Sequence, residues 1–205
     1  GIFAAALPAI LLSMALSNFG LPQAVVQKDK ITHAEVTMLF WLNIGFGLTA
    51  TLVVFLLAGP AARYFAMPEL RAVIQVVSIS PLLGTMVSQY LAILRRTLRI
   101  WTAESITFLS NVIGVVVVVI AALSGLSYWA LVLRQLVVPL VSLVLLARAT
   151  KWMPSAPVPG HILQARGSVK FGGFGAGTAI LDKMTEYLGT FLVGGAYGHF
   201  EAGVF

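Results

Sequence analysis

Arg134 is the one charge in the apolar stretch Ser127–Ala147. A guanidinium pairs bidentately with phosphate or carboxylate oxygens, so an arginine in that setting is a candidate anion ligand. Asp182 and Glu186 stand four residues apart, hence on one helical face, with Lys183 one position round; all three interrupt the otherwise apolar Phe171–Gly195. They suit either a self-neutralising cluster or the polar lining of a cavity. Asn18, Asn43 and Gln89 place amides, each able to donate and accept, within apolar runs, and Gln75, Asn111 and Gln135 do the same. Receptors and transporters both use such features, so alone they exclude only a simple membrane anchor. Covalent chemistry has little to work with. There is no cysteine, and His33, His161 and His199 are isolated, with no second ligand at helical spacing. No Ser-His-Asp or paired-carboxylate arrangement can be assembled, so neither a metal, a cofactor nor enzymatic activity is expected. The glycine-rich Gly172–Thr178 fails as a dinucleotide fingerprint, because Thr178 stands where the third glycine is needed and no strand precedes it. It reads instead as a close-packing GxxxG pair, Gly173 and Gly177.

The elements that must carry these residues follow from the distribution of charge. The chain has 205 residues, of which 59% are hydrophobic and 10% charged, and its mean hydropathy is +0.96. A water-soluble domain carries about 25% charged residues, so an ordinary soluble fold is excluded, and disorder more firmly still. Charge-free runs cover Gly1–Gln27, Val36–Ala62, Ala72–Leu94 and Ser105–Leu133. About 20 apolar residues suffice to cross the hydrocarbon core as a helix, so each run is long enough. The last run continues past Gly125 into Ser127–Ala147, and Phe171–Gly195 follows a Pro-rich polar interval. The expectation is an all-α, polytopic integral membrane protein with six transmembrane helices. Alternating ~10-residue segments of a β-barrel are missing. The five valines Val115–Val119 favour a strand by propensity, but a lone segment in lipid satisfies its backbone only as a helix. Gly1–Ser17 lacks the basic flank of a secretory signal and is read as a membrane helix. A chain that opens on Gly1 is expected to be a fragment of a longer protein.

Basic residues alternate between the loops. Lys28 and Lys30 lie in the first, Arg95, Arg96 and Arg99 in the third, and Arg148, Lys151, Arg166 and Lys170 in the fifth. Arg63 and Arg71 lie in the second, and the fourth, Ser124–Ser127, has none. The positive-inside rule therefore puts the odd loops in the cytoplasm. The same distribution explains the net charge of +6 without nucleic acid, which would need basic residues and stacking aromatics on one domain. Pro8, Pro81 and Pro139 sit inside apolar runs, where they kink or break a helix.

Several stretches together carry a resemblance: Asn18–Gln27 followed by Ile31-Thr32-His33, Leu39-Phe40-Trp41-Leu42-Asn43, Leu94–Arg99, Tyr128-Trp129-Ala130-Leu131-Val132 and Lys170-Phe171-Gly172. In order and spacing the chain resembles helices two to seven of the bacterial polysaccharide exporters. These are the lipopolysaccharide, O-antigen and exopolysaccharide flippases of the multidrug/oligosaccharidyl-lipid/polysaccharide exporter superfamily. The resemblance implies a transporter of two six-helix bundles. Residues 1–150 would hold helices two to six of the first bundle, 151–170 a cytoplasmic linker, and 171–205 the first helix of the second and the turn after it. Gly1-Ile2-Phe3 and Gly203-Val204-Phe205 echo one another as the loop after the first helix of each half. The implied function is translocation of a polyprenyl-pyrophosphate-linked oligosaccharide across the bacterial inner membrane by alternating access. Arg134, Asn18, Asn43, Gln89, Asp182, Lys183 and Glu186 would contact the substrate, and Arg95, Arg96 and Arg99 its head group on the cytoplasmic side. The lipid bilayer, a polysaccharide polymerase and other assembly proteins are the implied partners. The family often has an acidic residue where Asn18 stands and another near Gly189, so Asp182 or Glu186 would have to replace them. A cation-coupled multidrug exporter of the same superfamily is the alternative. A membrane-embedded polymerase or ligase would need a large extracytoplasmic loop, and both even loops are short.

Overall fold

The computed structural model describes Pro22, Val25, Val26 and residues 31–156. Five helices run in order: α1 (His33–Tyr64), α2 (Pro68–Val77), α3 (Ser80–Arg96), α4 (Ile100–Leu123) and α5 (Trp129–Thr150). Among the described residues there is no strand, and the valine run lies within α4. α2 and α3 together form one span, Pro68–Arg96, so four spans are long and apolar enough to cross a membrane. The expected segments at either end of the chain, Gly1–Gln27 apart from Pro22, Val25 and Val26, and Phe171–Gly195, fall outside the described residues.

Local chemistry sets the helix ends. Thr32 caps α1 reciprocally: its Oγ1 accepts from the Glu35 N–H at 3.2 Å, and Glu35 Oε2 accepts from the Thr32 N–H at 2.9 Å. At 32 residues α1 is about 48 Å long, more than the ~30 Å of hydrocarbon requires, and it includes Pro60. Three helices close with a left-handed residue and a bond from the next N–H back five positions. These bonds run from Met67 to Ala62 O, Arg99 to Leu94 O, and Leu126 to Ala121 O, with Ala66, Leu98 and Gly125 at positive φ. The break between α2 and α3 has a clear cause. Pro81 has no N–H to offer the Val77 carbonyl, but it fits the first turn of a new helix, where the N–H is unneeded. Ser78 Oγ steadies the joint by donating to Gln75 O at 2.6 Å.

Spans consecutive in the chain run antiparallel, and α3 and α5 run parallel to each other. α1 lies against α2 and α3, while α5 lies against α3 and α4. The buried positions of α4, Ala103, Ser110, Gly114 and Ala121, form one stripe of small residues. Without a hydrophobic drive between helices in lipid, close backbone approach over such a stripe is what holds them together. The rest of α4 turns Phe108, Val115, Val116, Val119 and Ile120 outward, as a lipid-facing helix must.

The turns after α1 and α4 meet at one end of the bundle. There Tyr128 and Trp129 pack on a cluster containing Ala62, Leu70 and Val132. The odd-numbered loops meet at the other. After α5 the chain reverses through Lys151 (φ 52°) and lays Trp152 against Phe40 and Tyr90, with ring centroids 5.6 and 5.7 Å away. Trp152 Nε1 donates to His33 Nδ1 at 3.2 Å, and Trp41 Nε1 donates to Ser155 O at 2.9 Å. With its Nδ1 accepting, neutral His33 carries its proton on Nε2, 3.1 Å from Ser155 Oγ.

Candidate substrate cavity

α3, α4 and α5 enclose a cavity of about 500 Å³, and Arg134 stands in its wall. Gly114 of α4 fixes where the arginine stem lies. A methyl group at that position would collide with Val138 and touch Arg134 Cγ at 3.6 Å, so α4 and α5 are in direct contact there. Five residues further along α5, Pro139 lacks the N–H that would reach the Gln135 carbonyl. Ser80 Oγ donates to that freed carbonyl at 3.5 Å, the long end of a hydrogen bond, and so ties α3 to the kink.

The remaining polar lining consists of hydroxyls and amides. Thr107 Oγ1 donates to Ala103 O at 3.0 Å, Ser88 Oγ to Thr85 O at 2.8 Å, and Asn111 Nδ2 to Thr107 O at 2.9 Å. The hydroxyl hydrogens of Thr107 and Ser88 are thus spent within their own helices, while the amides of Asn111 and Gln135 can both donate and accept. Arg134 is the contrast. It has no hydrogen bond or ion pair among the described residues, and no carboxylate lines the cavity with it. An exposed guanidinium in one wall, with hydroxyls and amides in the rest of the lining, suits a ligand that is anionic at one point and rich in hydroxyl groups elsewhere.

The other expected site residues are placed differently. Asn43 and Gln89 are fully buried between α1 and α3 and do not line the Arg134 cavity. Asn43 Nδ2 donates to Thr85 O at 3.0 Å and Gln89 Nε2 to Val36 O at 3.5 Å, bridging the helices as polar residues in membranes do. Their oxygens, and the buried Thr37 Oγ1, have no partner among the described residues. Gly47 lets the helices meet. A Cβ there would stand 2.5 Å from Thr85 Oγ1 and 3.1 Å from Leu82 Cα.

Arg95, Arg96 and Arg99 are all engaged with protein. Arg95 pairs with Glu104 at 3.1 Å, half-exposed, which contributes at most about 1 kcal/mol. Arg96 Nη1 donates to Val25 O at 2.8 Å, and Arg99 Nη1 to Ala149 O at 2.9 Å, in the last turn of α5. Carbonyls at a helix C-terminus lack intrahelical donors, so Arg99 satisfies one of them. Asn18, Asp182, Lys183 and Glu186 lie outside the described residues. Ser80, Ser88, Thr107 and Ser142 were missed as lining residues, because hydroxyls are common in membrane helices and carry no distinguishing spacing. Asn111 and Gln135 gave a fuller signal: one stands four residues after Thr107, the other four before Pro139.

The family model described as "Polysaccharide biosynthesis protein" matches residues 1–205. The chain belongs to this polysaccharide biosynthesis family. It is 31% identical over 98 residues to the lipopolysaccharide biosynthesis protein WzxC of Escherichia coli (strain K12), covering 48% of this chain and 20% of that protein. It is 23% identical over 193 residues to the teichuronic acid biosynthesis protein TuaB of Bacillus subtilis (strain 168), covering 92% and 39%. It is 28% identical over 159 residues to the succinoglycan biosynthesis transport protein ExoT of Rhizobium meliloti (strain 1021), covering 75% and 31%. The chain spans between a fifth and two-fifths of the length of these polysaccharide biosynthesis relatives. No solved structure matches it. This member of the polysaccharide biosynthesis family has, among its described residues, four spans long and apolar enough to cross a membrane.

Proposed function

We propose that the full-length protein carries a polyprenyl-pyrophosphate-linked oligosaccharide from the inner to the outer leaflet of a bacterial plasma membrane. It works by binding and alternating access, without covalent chemistry. The protein is read as two six-helix bundles of which this chain supplies one and the start of the next, with the odd loops in the cytoplasm. A polysaccharide polymerase and other assembly proteins are its expected neighbours. The observation that carries the reading is Arg134: a guanidinium without a partner among the described residues, in a cavity otherwise lined by hydroxyls and amides. The arginine offsets pyrophosphate charge in transit, and the hydroxyls and amides bond sugar hydroxyls. Removing a charge from water costs several kcal/mol unless it is paired, so the anion needs such a partner to cross. The family membership and the relatives' polysaccharide names support the same direction.

The test is translocation of a labelled polyprenyl-pyrophosphate oligosaccharide by full-length protein in proteoliposomes. The rate falls at least tenfold in Arg134→Gln and recovers in part in Arg134→Lys, which keeps the charge but loses the fork. Unchanged translocation by Arg134→Gln at equal protein levels refutes the role of the arginine. A cation-coupled drug exporter would want a carboxylate for its cationic cargo, and none lines this cavity among the described residues. Drug-dependent Na⁺ or H⁺ flux without lipid movement would nevertheless establish that alternative.

A further inference from the structure

The bundle end formed by the turns at 65–67 and 124–128 is poor in charge. From Ala62 to Arg71 it carries Arg63, Glu69 and Arg71, and from Leu123 to Trp129 nothing. Both cations line one cavity of about 590 Å³, and the carboxylate does not. Topology has no use for basic residues at this end, which makes their convergence on one concavity notable. Neither Arg63 nor Arg71 has a hydrogen bond or ion pair among the described residues, whereas Arg95, Arg96 and Arg99 at the opposite end all do.

The cavity is built by small residues. Gly59, Ala62 and Ala66 form its wall, and a Cβ added at Gly59 would meet nothing within 4 Å. Pro68, the first residue of α2, completes it. Met67 provides no side-chain cap for α2, and Glu69 is the acidic residue of its first turn. A purely structural role for Arg63, offsetting the C-terminal dipole of α1, is weakened by the turn itself. The N–H groups of Phe65, Ala66 and Met67 already bond Ala61 O, Arg63 O and Ala62 O. Tyr64, 86% exposed, and Phe65 flank the cavity, as aromatic residues do at head-group depth.

We propose that Arg63 and Arg71 form a binding site for a phosphate group at this end of the bundle, at the depth of the lipid head groups. The site is separate from the Arg134 cavity and stands whether or not that cavity carries substrate. Two guanidinium forks around one anion supply charge-assisted hydrogen bonds that a zwitterionic head group, with its own cation beside the phosphate, pairs with less well.

The experiment is native mass spectrometry of the full-length protein in a neutral detergent, titrated with phosphatidylglycerol and with phosphatidylcholine. Phosphatidylglycerol is retained at least tenfold better by the wild type, and Arg63→Gln/Arg71→Gln abolishes that preference. Gly59→Leu, which keeps both charges and fills the cavity, lowers it as well and guards against a double variant that fails to fold. Resistance of the bound lipid to 10 mM inorganic phosphate assigns the head group as the source, and its displacement assigns free phosphate; either leaves the phosphate site standing. Equal retention of the two lipids by wild type, or a preference unchanged in both variants, overturns the proposal.

Discussion

Gly47 offers the most direct quantitative check on the α1–α3 interface. Replacing it by alanine puts a methyl group 2.5 Å from Thr85 Oγ1, 3.3 Å from Thr85 Cγ2 and 3.1 Å from Leu82 Cα. The backbone atom of Leu82 cannot rotate away, and Thr85 is tied at 2.8 Å to Leu82 O. Overpacking of this kind costs about 1–3 kcal/mol, while a helical Gly→Ala exchange returns up to about 1 kcal/mol in backbone entropy. The net loss for Gly47→Ala is therefore about 1–2 kcal/mol. Thr85→Ala removes the oxygen that collides and alone costs about 0.5 kcal/mol, since the bond it breaks is local. In Gly47→Ala/Thr85→Ala the methyl group occupies the vacated space, leaving only the tight Leu82 contact. The double variant then recovers most of the loss, with a coupling of about 1 kcal/mol or more. Equilibrium unfolding of the four proteins in detergent micelles measures each corner of the cycle. Strict additivity refutes the interface as drawn, and so does a Gly47→Ala protein more stable than wild type.

Thr37 Oγ1 is buried without a partner among the described residues, so the near-isosteric Thr37→Val should be neutral or stabilising by about 1 kcal/mol in the same unfolding assay. A loss of stability would mean the hydroxyl has a donor after all. Ala66 sits at φ 51°, where an L side chain is crowded, and Ala66→Gly should raise stability by about 1 kcal/mol; thermal unfolding decides. Pro139→Ala returns an N–H to the Gln135 carbonyl and straightens α5. Stability should hold or rise while translocation in proteoliposomes falls, and unchanged transport would show that the kink does not shape the path.

The spans were legible because a charge cannot rest in hydrocarbon. The run Val36–Ala62 became His33–Tyr64, and Ala72–Leu94 became the broken span Pro68–Arg96, with its joint next to Pro81. The apolar stretch from Ser105 onward divided at the turn after Leu123, as Gly125 suggested. Rotation about the helix axis was not legible. An amide in an apolar helix announces that it faces protein, yet not which protein surface. Asn43 and Gln89 therefore turned out to bridge α1 and α3, while Asn111 and Gln135, of identical chemistry, line the Arg134 cavity. Nor does the sequence reveal that Arg96 and Arg99 reach backbone carbonyls 71 and 50 positions away, because such partners are made only by the packed bundle.

Trp152 has a mechanical consequence. Its ring is wedged against Phe40 of α1 and Tyr90 of α3, and its indole N–H is held by His33. The chain is therefore clamped to α1 and α3 at Trp152, although α5 is the helix that covalently precedes it. A pull on the chain after Trp152 is borne first by this aromatic clamp, which spares α5, with Pro139 and Arg134, from direct load. Because α3 also walls the Arg134 cavity opposite α4 and α5, a load on the clamp reaches the cavity through α3 and not through the helix that carries the arginine.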